Sequence, residues 1–101
     1  MEKLQFCSKC IELKASNHNH GMSTAVWGPP AWLFLHCIVL GYPCFIQETK
    51  EDKQRQKDMF TFFTSLGNVL PCSHCRKSYK EFMKEIPITG YLRCRRDLCY
   101  W

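Results

Sequence analysis

The chain has 101 residues and a mass of 12.0 kDa, which allows one small domain and excludes two catalytic domains or a doubly wound nucleotide-binding sheet. Hydrophobic residues make up 46% and the net charge is only +5, so the chain folds and is not a dedicated nucleic-acid binder. Eight cysteines in so short a chain bring disulfide, metal and redox chemistry into question.

Residues 1–25 read as a flexible polar tail with one Cys-x-x-Cys pair, Cys7 and Cys10. The tail lacks the apolar core of a signal peptide. Residues 26–101 form the folded domain. Gly28-Pro29-Pro30 opens the first helix, because proline suits a first helical turn. Trp32, Leu35, His36 and Val39 follow at helical spacing, and Gly41-Tyr42-Pro43 ends the helix. The most apolar stretch, 31–46, is interrupted by His36, Gly41 and Pro43 and falls short of the roughly 20 residues of a membrane span. Neither a membrane nor a nucleic acid is expected as a partner. Cys37 and Cys44 are expected to be small buried hydrophobes.

Residues 47–58 are charged or polar and give a loop and the exposed first turns of a second helix. Met59, Phe62, Phe63, Leu66, Val69 and Leu70 form its apolar face. Pro71 breaks it. A third helix begins at Cys72 and carries Cys75, Tyr79, Phe82, Met83 and Ile86 on one face. Pro87 to Gly90 is a turn. A fourth helical stretch begins near Tyr91 and runs to Trp101. No period-2 pattern persists, so the fold class is all-α, with helices packed as a bundle.

Cys72-Ser73-His74-Cys75 carries the chemistry. Residues three apart on a helix lie on nearly one face, within disulfide reach. A helix N-terminus stabilises a thiolate, as do Arg76 and Lys77 beside it. A two-residue loop constrains the unfolded chain little, so such a pair is suited to repeated oxidation and reduction and not to a structural crosslink. The alternative is a zinc-stabilised helical binding module using Cys7, Cys10, Cys72 and Cys75, with His18, His20 or His74 as spare ligands. Inert thiols are the third reading. Cys94 and Cys99, five apart on one helix, would point about 140° apart and would not pair.

Trp27-Gly28-x-x-x-Trp32-x-x-x-His36, then Tyr42-Pro43, an amphipathic helix and Pro71-Cys72-x-x-Cys75 together resemble the Erv/ALR family of FAD-linked sulfhydryl oxidases. The resemblance covers about residues 26–101 and implies an up-and-down four-helix-type bundle that binds FAD and forms homodimers. It implies oxidation of dithiols in protein substrates, with electrons passing through flavin to oxygen and giving hydrogen peroxide. Cys75 would be the flavin-proximal cysteine, its thiolate a charge-transfer donor to the ring. Cys72 would be the interchange cysteine. Trp27, Gly28, Trp32, His36, Tyr42, Cys75 and Trp101 would form the FAD site, and Cys7–Cys10 would be a shuttle disulfide. No metal is expected.

Trp101 stands at the family's fourth-helix tryptophan. The His-Asn-x-x-Asn element that follows it in the family is absent from these 101 residues. The last helix is therefore expected to be incomplete, and FAD to be held weakly or with a partner's help. A degenerate, FAD-free interaction domain is the corresponding alternative. The missing leader and small size lean towards a viral type working in host cytoplasm or virion. The mitochondrial intermembrane space is the other expected location.

Overall fold

The computed structural model describes residues 23–101. The pair Cys7–Cys10, His18 and His20 lie outside the described residues. Four α-helices and one 3-10 turn follow in order, with no strand among the described residues, so the fold is all-α.

Helix α1 spans Thr24–Leu40, with Ser23 as its N-cap. The Ser23 hydroxyl accepts from the Ala25 N–H at 3.2 Å. The helix thus starts upstream of the expected opening, and Pro29 and Pro30 lie inside it. Local prolines suggested a first turn; the cap at Ser23 adds more than one turn before them. Apolar side chains surround α1 on all sides, and Trp32, Leu33, Phe34 and Leu40 remain exposed.

Helix α2 spans Lys50–Val69. Thr49 Oγ1 accepts from the Asp52 N–H, and Asp52 Oδ2 in turn accepts from the Gln47 N–H at 2.8 Å. These two bonds, with Glu51 and Asp52 in the first turn, suit the positive end of the helix. The expected apolar face is only partly used: Phe63 is buried, Met59, Leu66 and Leu70 are half-buried, and Val69 is exposed.

Helix α3 spans Ser73–Glu85 with Cys72 as N-cap. It packs against α2. Gly67 is buried at this contact, and a Cβ there would lie 3.0 Å from Tyr79 Cδ1 and 3.3 Å from Lys80 Cγ. The Tyr79 hydroxyl donates to the Phe63 carbonyl at 2.6 Å across the same contact. The missing Cβ lets the two helices approach, and the phenol sets their register.

The segment after Pro87 departs from expectation. Ile88–Tyr91 is a 3-10 turn, and α4 spans Arg95–Tyr100, starting at Arg95 and not near Tyr91. The chain extends between them: Phe45 and Cys94 form an isolated antiparallel bridge, and Ile46 N–H donates to the Arg93 carbonyl. A continuous helix could not make this pairing. Helix α4 packs against α1.

The core is Tyr42, Phe63, Ile88, Leu92 and Leu98. Buried Cys94 adjoins it, whereas Cys37 and Cys44, expected to be buried, are exposed. Arg95 staples the loop after α1 to α4: its Nε donates to the Tyr42 carbonyl at 2.6 Å and its N–H to the Pro43 carbonyl.

Candidate functional site

The two cysteines of Cys-x-x-Cys occupy different environments. Pro71 cannot continue α2, so the chain turns and α3 begins with Cys72 as its cap. Cys72 Sγ accepts from the Cys75 N–H at 3.4 Å. Arg76 holds the preceding turn, its guanidinium donating to the Leu70 carbonyl at 2.5 Å.

These contacts split the two acidities. The Cys75 thiol and backbone N–H, the His74 N–H and the nearby Arg76 charge hold Cys72 below the ordinary thiol value of 9.0. The Cys75 thiol is pushed up, chiefly because it donates to Cys72 and further by partial burial. In the reduced pair the negative charge therefore belongs on Cys72, whereas the resemblance implied a thiolate at Cys75.

Cys75 opens onto a cavity of about 630 Å³ between α1, α3 and α4. Trp32, Leu35 and Val39 form one wall, and Tyr79, Phe82 and Trp101 another. Cys72 is not on the wall. The pair thus has an outer, acidified thiol and an inner thiol facing an apolar cavity.

Trp32 and His36 stand edge to face on α1, centroids 5.0 Å apart at 88°. His36 Nδ1 lies 2.7 Å from the Trp32 carbonyl. A carbonyl only accepts, so Nδ1 carries the proton, and a neutral ring keeps Nε2 as an acceptor. Trp101 Nε1 donates to the Ile86 carbonyl, the C-cap of α3, at 2.7 Å. Its ring packs on Phe63 and Phe82, with centroids 5.4 and 5.5 Å away.

Trp32, His36, Cys75 and Trp101 therefore meet at one cavity. Tyr42, Trp27 and Gly28 do not. Tyr42 is 1% exposed in the core, and its hydroxyl donates to the Leu92 carbonyl at 2.6 Å. Burial, with Asp52 and Cys94 nearby, pushes its pKa up. It is a strut, because the loop after α1 folds inward onto α4. Trp27 and Gly28 sit about one turn before Trp32, off the wall; a Cβ on Gly28 would meet only Thr24 Cβ at 3.8 Å.

Tyr79 and Phe82, expected on the α3 face of Cys75 but not as site residues, lie on the wall, as do Leu70, His74, Ser78 and Cys99, which were not expected there. Of these, Ser78 follows Cys75 at i+3 and was within reach of the same spacing argument. Nothing local marks Cys99. Of the basic run, Arg93 pairs with Asp97 at 3.1 Å and Arg95 serves the core. Among the described residues no group of three or more His, Cys, Asp or Glu could hold a metal ion. None of their helices is long and apolar enough to cross a membrane.

The Erv1/Alr family model matches residues 29–101. A protein of Acanthamoeba polyphaga mimivirus named "Probable FAD-linked sulfhydryl oxidase" is 42% identical over 81 residues, covering 79% of this chain and 53% of the relative. An FAD-linked sulfhydryl oxidase of Arabidopsis thaliana is 32% identical over 60 residues, covering 59% of this chain and 29% of the relative. The chain thus spans about half the length of the viral relative and less of the plant one.

Proposed function

The chain belongs to the Erv1/Alr family, and we propose that it is an FAD-dependent thiol oxidase that forms disulfides in protein substrates. The observation that carries this reading is the placement of Cys75 on an aromatic-walled cavity, with Cys72 outside it as an acidified helix cap.

The residues present suit the flat ring system of FAD. The cavity is apolar and wide, with Trp32, Tyr79, Phe82 and Trp101 offering ring faces or edges and His36 a polar contact. No Arg or Lys lines it, so the ring and not the pyrophosphate is the part it fits. When bound, FAD would take two electrons from the reduced pair and pass them to oxygen, giving hydrogen peroxide.

The protein's own thiols do the rest. With the pair oxidised, a substrate thiolate attacks Cys72 Sγ. The Cys72–Cys75 bond breaks, a substrate–Cys72 disulfide forms and Cys75 leaves carrying the electron pair. The substrate's second thiolate then attacks its own sulfur in that mixed disulfide and releases Cys72 as thiolate. The substrate has lost two electrons and two protons, and the pair has gained the electrons. Cap hydrogen bonds and Arg76 stabilise Cys72 as the final leaving group.

Cys7–Cys10 would act as a shuttle disulfide between large substrates and Cys72. Replacing both with serine should slow protein substrates and spare dithiothreitol. A homodimer would cover Leu33 and Phe34 on α1. The viral relative favours host cytoplasm or virion as the working location.

The test is the visible spectrum of the purified chain with peroxide release from dithiothreitol. Bound flavin and peroxide, both lost or altered in Cys75→Ser, support the reading. A colourless chain inactive with added FAD refutes it.

A further inference from the structure

We infer that Arg76 is a positioning residue: by tying the end of α2 to the start of α3, it makes Cys72, and not Cys75, the sulfur at which a substrate thiol enters. The chemistry rests on the oxidase reading, and the place of Arg76 on separate observations.

The turn between α2 and α3 cannot hold itself. Leu70 and Cys72 are extended, with φ and ψ of −54° and 141° at the first and −128° and 130° at the second. Pro71 between them has no N–H. The last carbonyls of a helix lack intrahelical donors, and α2 has no basic side chain in its last turn to supply one. Arg76 supplies it from the next helix: Nη1 donates to the Leu70 carbonyl at 2.5 Å. The Arg76 backbone N–H donates to the Cys72 carbonyl at 3.0 Å. One residue thus closes the stretch from Leu70 to Arg76 with a side-chain bond and a backbone bond, and both cysteines lie inside it. Arg76 is half-buried, so its charge-assisted bond is partly shielded from water. A cation in the first turn of α3 opposes that helix's own dipole and favours that of α2. Its place serves the junction and not its own helix.

Charge alone does not choose between the sulfurs. The hydrogen bond between the two thiols is the chief cause that lowers Cys72 and raises Cys75, whereas the Arg76 charge pulls both down and is the least of the causes on each. Leaving-group chemistry favours the other direction, because attack at Cys75 would expel Cys72, the better-stabilised thiolate. Access opposes it: Cys75 is on the cavity wall and Cys72 is not. Position therefore decides, and the position of Cys72 depends on the turn that Arg76 closes. In attack at Cys72 a substrate–Cys72 bond forms, the Cys72–Cys75 bond breaks and Cys75 leaves with the electron pair. Attack at Cys75 would expel Cys72 with the pair instead and leave the substrate on the cavity-facing sulfur.

The test gives both sulfurs the same leaving group and needs no flavin. The full 101-residue chain, as Cys75→Ser and as Cys72→Ser, is charged with thionitrobenzoate on its thiols and mixed with a one-cysteine peptide. The peptide thiolate attacks the cysteine sulfur, a peptide–cysteine disulfide forms and thionitrobenzoate leaves with the electron pair. Mass spectrometry of the digested chain reads the rate at Cys72 in the first variant and at Cys75 in the second. With Arg76 present, Cys72 should react about tenfold faster or more. Adding Arg76→Met should slow Cys72 and speed Cys75, leaving them within about twofold. Arg76→Lys keeps the charge and loses the fork, and should move both rates in the same directions by less.

Loss of charge alone would slow both sulfurs together, because the attacking thiolate is an anion at each. Rates that fall by one factor in Arg76→Met overturn the inference. So do rates that stay unchanged, or a preference for Cys75 with Arg76 in place. If Arg76→Met loses its helical circular dichroism, Arg76→Lys decides, and an unchanged ratio there overturns the inference. Opposite shifts in a chain that binds no flavin and releases no peroxide would sink the oxidase reading and leave the role of Arg76 standing.

Discussion

Cys72 caps the helix on which Cys75 rides: the Cys75 N–H points at Cys72 Sγ, 3.4 Å away, while the Cys75 side chain lines the cavity. One backbone turn thus separates the exchange thiol from the cofactor-facing thiol and gives each a different acidity.

This relationship predicts the order of thiol reactivity. The Cys72 value is depressed, so its thiolate forms at lower pH than an ordinary thiol, and the Cys75 value is raised. Alkylation of the reduced chain by iodoacetamide, followed by mass spectrometry, should modify Cys72 first, with an inflection below pH 9.0. Blocking Cys72 removes the charge and the acceptor that hold the Cys75 proton, so the Cys75 inflection should then fall. First reaction at Cys75 would reverse the assignment.

Capping predicts a difference between two substitutions at one position. Cys72→Ser keeps a side-chain acceptor at the N-cap, and Cys72→Ala does not. Both should lose dithiol oxidation. Only the alanine variant should lose about 1 kcal/mol of stability in chemical denaturation. Equal stability would mean that the sulfur does not cap α3.

The α2–α3 contact predicts a cost for one methyl group. Gly67→Ala places a Cβ 3.0 Å from the Tyr79 ring. The chain should lose about 1–3 kcal/mol, and flavin affinity should fall because Tyr79 lines the cavity. Tyr79→Phe in the same background should not restore it, since the clash is with the ring and not the hydroxyl.

Tyr79 also predicts a pH dependence. Burial pushes its phenol up to about 12 from 10.0. A raised acid value means the stabilisation is complete below pH 10 and is lost as pH rises towards 12. Tyr79→Phe should cost about 1 kcal/mol at neutral pH, from the lost bond to the Phe63 carbonyl. It should also flatten the alkaline loss measured by denaturation.

Tyr42 and Trp32 should separate on flavin binding. Tyr42→Phe leaves the Leu92 carbonyl with a second donor, Gln56 Nε2 at 3.2 Å, so it should cost about 1 kcal/mol of stability without changing flavin affinity. Trp32 is 66% exposed yet forms the cavity wall. Trp32→Ala should lower affinity about tenfold with little effect on stability. Fluorescence titration with FAD reads both.

The sequence by itself determined the helical class, α2, α3 and the reactive pair. Apolar spacing, Pro71 and Cys-x-x-Cys are local signals, each acting within a turn or two of chain. It also marked Trp32, His36, Cys75 and Trp101, whose meeting at one cavity is a property of the packed helices. Tertiary structure alone decided that Tyr42 is a core strut. Its environment is set by Leu92 and Arg95, fifty or more residues away. It likewise decided that Cys94 is buried while Cys37 and Cys44 are exposed, since burial depends on which faces meet and not on residue type. The late start of α4 has the same origin. Pairing of Phe45 with Cys94 holds that stretch extended, and no periodicity within residues 91–101 encodes a partner on another segment.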